Sequence, residues 1–399
     1  MDFNYSNEQI ALQETMQRFI GRDYGFERRR ELARSTLGYS AEAWAQYANL
    51  GLLSLPFPEQ FGGLGGNAVD IMLVMEQVGR GLLLEPFLST IVMGGGLIRD
   101  AGSEAMKTAL LPRVGAGELK LAVACYEAAG RYDLSHVACT AVRSGDGWRL
   151  SGYKTVVHDA PSADYFLVSA RSGGNITDAR GISLFLVGRE TRGLTLSAYP
   201  TQSGGRAADL HLEDAALDAN SLIGRPEDAL AIIERAVDKG IAALCGEAVG
   251  IIAALNEATL NYLKSRKQFG VPIGKFQALQ HRMADMLIAA EQARSMAIIA
   301  AVYADSEDAA ERRRRVSAAK TYIGQAARLV GQQAVQLHGA MGVVDDLIVS
   351  HYFKRLTMID LSLGDTGFHL ARFSDTLGDR DKSTLGGRDK SCSVTIRNP

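Results

Sequence analysis

Apolar residues recur at helical intervals along the first part of the chain. In "SNEQIALQETMQRFI", Ile10, Leu12, Met16, Phe19 and Ile20 fall on one helical face, and Ser6 stands where an N-cap is wanted. "AVDIMLVMEQVGRGLL" predicts a second, strongly apolar helix. Between the two, "PFPEQFGGLGG" places four glycines in five residues. No strand precedes them and an apolar helix follows, so they read as a turn joining helices, with ligand contact as the alternative.

The period changes near residue 118. "VACTAVRSGDGWRLSGYKTVV" predicts two strands around a hairpin at Gly145-Asp146-Gly147. "ADYFLVSAR", "GISLFLVGRE", "GLTLSAYP" and "AADLHLED" follow without intervening helices, the pattern of a small antiparallel sandwich or barrel. Helical spacing returns over residues 228–266, 275–304, 308–340 and 346–376, where frequent alanine permits close helix packing. The expected fold is mainly α with a central antiparallel β-barrel domain. Its parts are an N-terminal helical domain over residues 1–117, a middle β domain over 118–226, a C-terminal helical bundle over 227–376 and a tail over 377–399. The tail nearly repeats "LG-x-RDKS", carries no apolar stripe and predicts little intrinsic structure.

With 399 residues, 47% of them hydrophobic, the chain can bury a large core in two or three packed units. A formal charge of −2 argues against nucleic acid or an anionic membrane as partner. The four consecutive arginines of "SEDAAERRRRVSAAK" cover all sides of a helical turn, which fits a solvated or subunit-contact surface better than a nucleic-acid patch. No uninterrupted apolar run reaches membrane-spanning length, and the nearest, around residues 240–256, is broken by Glu247. The first residues lack an export signal, so a cytoplasmic location is expected. None of the four cysteines sits in a CxxC pair, and the seven histidines show no ligand spacing. Reduced thiols and no metal site are therefore expected. A Rossmann GxGxxG, a P-loop, an HExxH and a GxSxG elbow are all missing.

The densest motif is "YLKSRKQFGVPIGKFQALQHRMADM", residues 262–286. With "PEQFGGLGG" and "QLHGAMGV", it resembles the acyl-CoA dehydrogenase family over roughly residues 5–375, and the α-β-α order agrees with that family's fold. The resemblance implies FAD as cofactor. Arg266 would neutralise the FAD diphosphate across a subunit interface, where an arginine fork suits a diphosphate better than a lysine point charge. Gln268 would add a polar contact and Phe269 an apolar wall. Gln336 and Gly339 would approach the adenosine half in trans, glycine permitting close backbone approach. Ile273, Gln277, Thr366 and Cys125 are placed in the cofactor's surroundings by the same resemblance. The implied reaction is α,β-desaturation of an acyl-CoA thioester, with a carboxylate as base and an electron-transferring flavoprotein as electron acceptor.

Several family positions are altered. The stretch matching T-E-P-x-x-G-S-D reads "YEAAGRYD", keeping Glu127 and Asp133 but placing Tyr126, Arg131 and Tyr132 at smaller positions. The strand matching K-x-W-I-T reads "KTVVH", with Val156 for the tryptophan and His158, a possible flavin donor, for the threonine. The two places where the family carries its base are Gly364 and Gly240. Asp365, one residue away, is the candidate base, with a helix N-cap as its other reading. Glu247 lies two helical turns past Gly240, about 10 Å on, and reads as a buried ion-pair partner.

Residues directed at a neighbour's flavin are thus kept while those for the chain's own are altered. The pattern resembles the small subunit of heteromeric acyl-CoA dehydrogenases, of the pimeloyl-CoA and bacterial steroid side-chain types. It implies an α2β2 assembly with a homologous large subunit that supplies the base. The substrate would be an acyl-CoA with a bulky, dicarboxylic or fatty acyl group. The alternatives are a self-sufficient homotetrameric dehydrogenase using Asp365, a flavin-free binding subunit, and a flavin monooxygenase on the same fold.

Overall fold

The computed structural model describes residues 5–385. Six helices come first: α1 (Asn7–Asp23), α2 (Phe26–Arg34), α3 (Ala41–Asn49), α4 (Ala68–Gly81), α5 (Gly96–Ala101) and α6 (Glu104–Gly115). Ser6 caps α1 in a capping box with Gln9. The glycine-rich stretch is a turn between α3 and α4. A Cβ on Gly63 would stand 1.9 Å from the Phe57 carbonyl oxygen, so the turn closes only with glycine there. A wide π-helical segment, Leu88–Gly95, leads into α5.

The middle region holds β1 (Leu121–Ala124), β2 (Thr140–Ser144), β3 (Gly147–His158), β4 (Tyr165–Arg171), β5 (Ile182–Gly188), β6 (Leu194–Pro200), β7 (Arg206–Leu217) and β8 (Leu222–Ile223). The expected hairpin joins β2 to β3, with Ser144 opposite Gly147. The expected antiparallel barrel does not form. The strands make one open, mixed sheet in the order β6-β7-β3-β2-β4-β5-β8, with β1 beside β4. Its end strands β6 and β8 do not pair with each other, and β8 offers only two residues, too few to close a ring.

The pairing of β1 with β4 is parallel, as is the single β2–β4 pair at Thr140 and Arg171. The cause is the long connection between β1 and β2, which carries the chain back before β2 begins. Glu127 folds it: its carboxylate accepts from the backbone N–H of Ala138 (2.8 Å) and Cys139 (3.0 Å) and from Lys154 Nζ (2.6 Å). The sheet still wraps a core, in which Trp148 meets Phe185 edge to face at 5.1 Å.

The C-terminal part comprises α7 (Leu230–Ser265), a small ribbon of β9 (Lys267–Gln268) and β10 (Val271–Pro272), α8 (Gln277–Ala304), α9 (Ala309–His338), α10 (Ile348–Leu361) and α11 (Thr366–Leu385). The expected helix over residues 346–376 is broken at Ser362–Asp365. The expected tail begins inside α11, and its residues from 386 on lie outside the described residues. α4 and α7 cross with backbones nearly touching: a Cβ on Gly79 would meet the Glu247 carbonyl oxygen at 2.0 Å, and one on Gly250 the Glu76 carbonyl oxygen at 1.8 Å. This contact fixes Glu247 in the core.

α7 and α8 are each long and apolar enough to cross a membrane by length and composition, although Glu247 interrupts the apolar run of α7. The α7 window is 78% buried inside the protein, as befits the central helix of a bundle. The arginine run of α9 is not wholly solvated. Arg312 is buried on Asp238 (3.1 Å), which Arg372 also reaches at 3.2 Å. Arg313 pairs with Glu234, and Arg314 and Arg315 pair with Glu311.

Candidate functional site

Two concave regions and one closed place make up the site. The first region is a partly open cavity of about 110 Å³ where α4, the π-helical segment, the sheet, α7 and α10 meet. Most of its wall is apolar, with Met75, Val78, Phe87, Met93, Val123 and Leu244 among its residues. One part is polar. Arg355 of α10 grips Glu247 of α7 through two bonds, Nε to Oε1 at 2.5 Å and Nη2 to Oε2 at 2.7 Å. Asp159, just past β3, accepts from Ser89 Oγ at 2.6 Å, and burial pushes its carboxyl up to about 6. His158, the last residue of β3, lines the same cavity. Burial, with Arg355 nearby, pulls its imidazole down to about 4. Glu85 also lines the cavity and is pushed up to about 7 by burial, although the N–H groups of Ser40 and Leu84 both donate to it.

The second region is an open groove of about 520 Å³ formed by the end of α7, the β9–β10 ribbon, α8 and the end of α9. Arg266, Gln268, Ile273, Gln336 and Gly339 all line it. The Arg266 guanidinium has no hydrogen bond or ion pair among the described residues. Gly339 takes φ +60°, and a Cβ there would meet nothing within 4 Å, so its backbone is open to approach. Tyr262 and His338 stack at 4.4 Å along the wall, and His338 is held by a bond from Nδ1 to the Ala334 carbonyl oxygen at 2.8 Å. Arg282 of α8 lines the groove too and donates to Gln333 at 3.2 Å.

The closed place is Gly364, in the break between α10 and α11. It takes φ +108°, and a Cβ there would stand 2.5 Å from His369 Nε2 and 2.6 Å from Phe368 Cδ1. His369 is buried, with Nε2 on the Leu363 carbonyl oxygen (3.0 Å) and Nδ1 on Ser317 Oγ (3.2 Å). Across the break, Phe368 meets the Tyr132 ring at 5.4 Å, joining the loop before β2 to α11. A Cβ on Gly240 would stand 2.9 Å from Leu363 Cδ1.

The residues singled out in the sequence therefore separate into three sets. Arg266, Gln268, Ile273, Gln336 and Gly339 share the open groove, while Cys125 and His158 line the first cavity. The other four line neither. Phe269 is 91% exposed and meets Phe276 edge to face at 6.1 Å, and Gln277 opens α8 on the surface. Thr366 donates its hydroxyl to Asp360 at 2.6 Å. Asp365 caps α11, its Oδ1 accepting from the Phe368 N–H at 2.8 Å. Sequence reasoning missed Asp159, Ser89 and Arg355. Asp159 sits in a "DAPS" turn signal and Arg355 in a helix face, neither of which marks a cavity.

Known protein families match nearly the whole chain. Residues 6–118 match the acyl-CoA dehydrogenase N-terminal domain, 122–215 the middle domain and 230–377 the C-terminal domain. The chain belongs to the acyl-CoA dehydrogenase family. Members of this family are oxidoreductases acting on the CH–CH bond of acyl-CoA. Among relatives, the probable acyl-CoA dehydrogenase YngJ of Bacillus subtilis (strain 168) is 28% identical over 369 residues, 91% of this chain and 96% of that one. Among solved structures, a variant of the Tcur3481–Tcur3483 steroid ACAD has a TM-score of 0.84 and 30% identity, over 94% of this chain and 99% of that one. The ChsE4–ChsE5 complex from Mycobacterium tuberculosis has a TM-score of 0.84 and 26% identity, over 95% and 99%.

Proposed function

We propose that this chain is the partner-type subunit of a flavin-dependent acyl-CoA dehydrogenase. It assembles with a homologous large subunit as an α2β2 heterotetramer and completes an FAD site across the interface, while the base for α,β-desaturation comes from the large subunit. The observation that carries this reading is a contrast between two places. The groove around Arg266 is open and its guanidinium uncommitted, whereas position 364 has no room for any side chain. The ChsE4–ChsE5 complex among the structural relatives supports the same reading.

The groove suits the ADP half of FAD. Arg266 offers a planar fork to a diphosphate, Gln268 and Gln336 offer amide contacts, and the bare backbone at Gly339 allows a ribose or base to lie close. When bound, FAD supplies the acceptor for the β hydride of the acyl thioester. On this reading the substrate carries a bulky acyl group, and electrons pass on to an electron-transferring flavoprotein.

The test is to purify the chain alone and together with a related large subunit, and to measure FAD per chain and acyl-CoA dehydrogenation. The pair is expected to be yellow and active and the single chain colourless. Arg266→Ala in the pair is expected to weaken FAD retention at least about tenfold, the loss of one charge-assisted contact. A yellow, active single chain, or full FAD retention in the Arg266→Ala pair, would overturn the reading.

A further inference from the structure

The end of β3 departs from the alternation of its own strand. Trp148, Leu150 and Lys154 are buried and the residues between them are not, but the next buried residue is Val157. The inward positions are even-numbered up to 154 and odd at 157, so the strand changes phase between them. The change is a bulge. Lys154 pairs with Leu210 of β7 and Val157 with Ala208, which leaves Thr155 and Val156 together opposite Asp209. Val156 takes φ +51°, a left-handed conformation that a β-branched residue adopts only under strain. Neither amide of the bulge joins the backbone ladder to β7. The Thr155 N–H donates to the Tyr126 carbonyl oxygen at 3.0 Å, and the Val156 N–H donates to Asp209 Oδ1 at 2.9 Å. The same Oδ1 accepts from the hydroxyl of Tyr199, on β6, at 2.8 Å.

We infer that Asp209 is a positioning residue, whose side chain holds the β3 bulge and so turns Val156 and His158 toward the first cavity. Both of these line the cavity, whereas Asp209 and Tyr199 are not among its lining residues. Side chains on a strand alternate with a period of two. Without the extra residue, positions 156 and 158 would share the inward face of Lys154, and Val157 would look out in their place. The bulge thus decides whether a molecule in the cavity meets the side chains at 156 and 158 or the one at 157. A bulge takes an N–H off the ladder, and an N–H left without a partner would favour the regular register. The carboxylate oxygen of Asp209 supplies that partner as a charge-assisted acceptor, and Tyr199 fixes the carboxylate from the neighbouring strand.

A cysteine at 156 or 157 reports the phase of the strand, since Val156 is 50% exposed and Val157 is 1% exposed. The probe is N-ethylmaleimide on the full chain, read by mass spectrometry of the peptide that carries the new thiol. Val156→Cys is expected to label at least about tenfold faster than Val157→Cys. Adding Asp209→Ala is expected to reverse the order, slowing Val156→Cys at least about fivefold while Val157→Cys speeds up. A general loosening of the sheet would speed both sites and cannot slow position 156. Asp209→Asn keeps a carbonyl oxygen that accepts both bonds, so it is expected to keep the original order. Tyr199→Phe removes one hydroxyl and leaves the packing of the sheet in place, and it is expected to slow Val156→Cys about twofold. Labelling at 156 that Asp209→Ala leaves unchanged or faster would overturn the inference, as would an Asp209→Asn chain that behaves like Asp209→Ala. Where Asp209→Ala does not fold, unchanged labelling at 156 in Tyr199→Phe overturns it instead.

Discussion

Individual side chains in the cavity carry more of the protein's stability than their small number suggests. Glu247 is 2% exposed and its carboxylate is paired with Arg355. Arg355→Met leaves a buried carboxylate unpaired and is expected to cost about 3–5 kcal/mol in denaturant unfolding. Adding Glu247→Leu removes the orphaned charge and should recover most of that loss, whereas additive losses would show that the pair is not the unit that matters. Glu85 gives a pH signature. The folded protein holds its proton up to about 7, while the unfolded chain releases it near 4.5. The folded state therefore binds more protons between these values, and stability falls as pH rises through that window. Glu85→Gln removes this dependence. Relative to wild type it should be nearly neutral at about pH 4 and more stable by on the order of 3 kcal/mol at about pH 8, read from urea unfolding.

At the scale of elements, the break between α10 and α11 shows what local sequence determines and what it leaves open. Leu363 and Gly364 take positive φ (+58° and +108°), and Asp365 restarts the helix as its cap. Lys320 of α9 closes the end of α10 by donating to the carbonyl oxygens of Ile359 and Asp360. Gly364→Ala meets both the backbone penalty and the His369 and Phe368 rings, and should cost about 2–4 kcal/mol. Gly367→Ala, in the first turn of α11 with its nearest contact, Asp365 Oδ1, at 3.4 Å, should be neutral or slightly stabilising. A Gly364→Ala chain that unfolds at the wild-type denaturant midpoint would refute the closed-site geometry.

The glycine, the cap and the alternation of helical and strand regions are all local signals, and they were readable in the sequence. So was the groove, because a dense motif carries Arg266, Gln268 and Ile273 on one short stretch. Barrel closure was not readable. Whether β6 meets β8 depends on pairing between distant strands, and the parallel partners of β4 depend on how Glu127 folds a loop. The polar end of the cavity was hidden for the same reason: Ser89, Asp159, Glu247 and Arg355 come from four separate elements, and nothing in their own segments marks them as neighbours.

For the molecule as a whole, the decisive feature is the inverted face of α8. Its buried residues are Met286 and six alanines, Ala289, Ala293, Ala297, Ala300, Ala301 and Ala304, while Leu287 and Ile288 are each 56% exposed. A helix that hides alanine and displays leucine and isoleucine has its small face packed within the chain and its large face free for another. Arg282 lies on this helix and also lines the Arg266 groove, so the helix that displays the exposed face also borders the groove. On the subunit reading, assembly and cofactor retention are then coupled through α8. Leu287→Asp with Ile288→Asp should change the unfolding free energy of the isolated chain by no more than about 1 kcal/mol, since both side chains are on the surface. The same pair of changes should abolish co-elution with the large subunit in size-exclusion chromatography with light scattering, and FAD should be lost along with the assembly. A complex that forms normally with both aspartates in place would move the interface to another face and separate the groove from it.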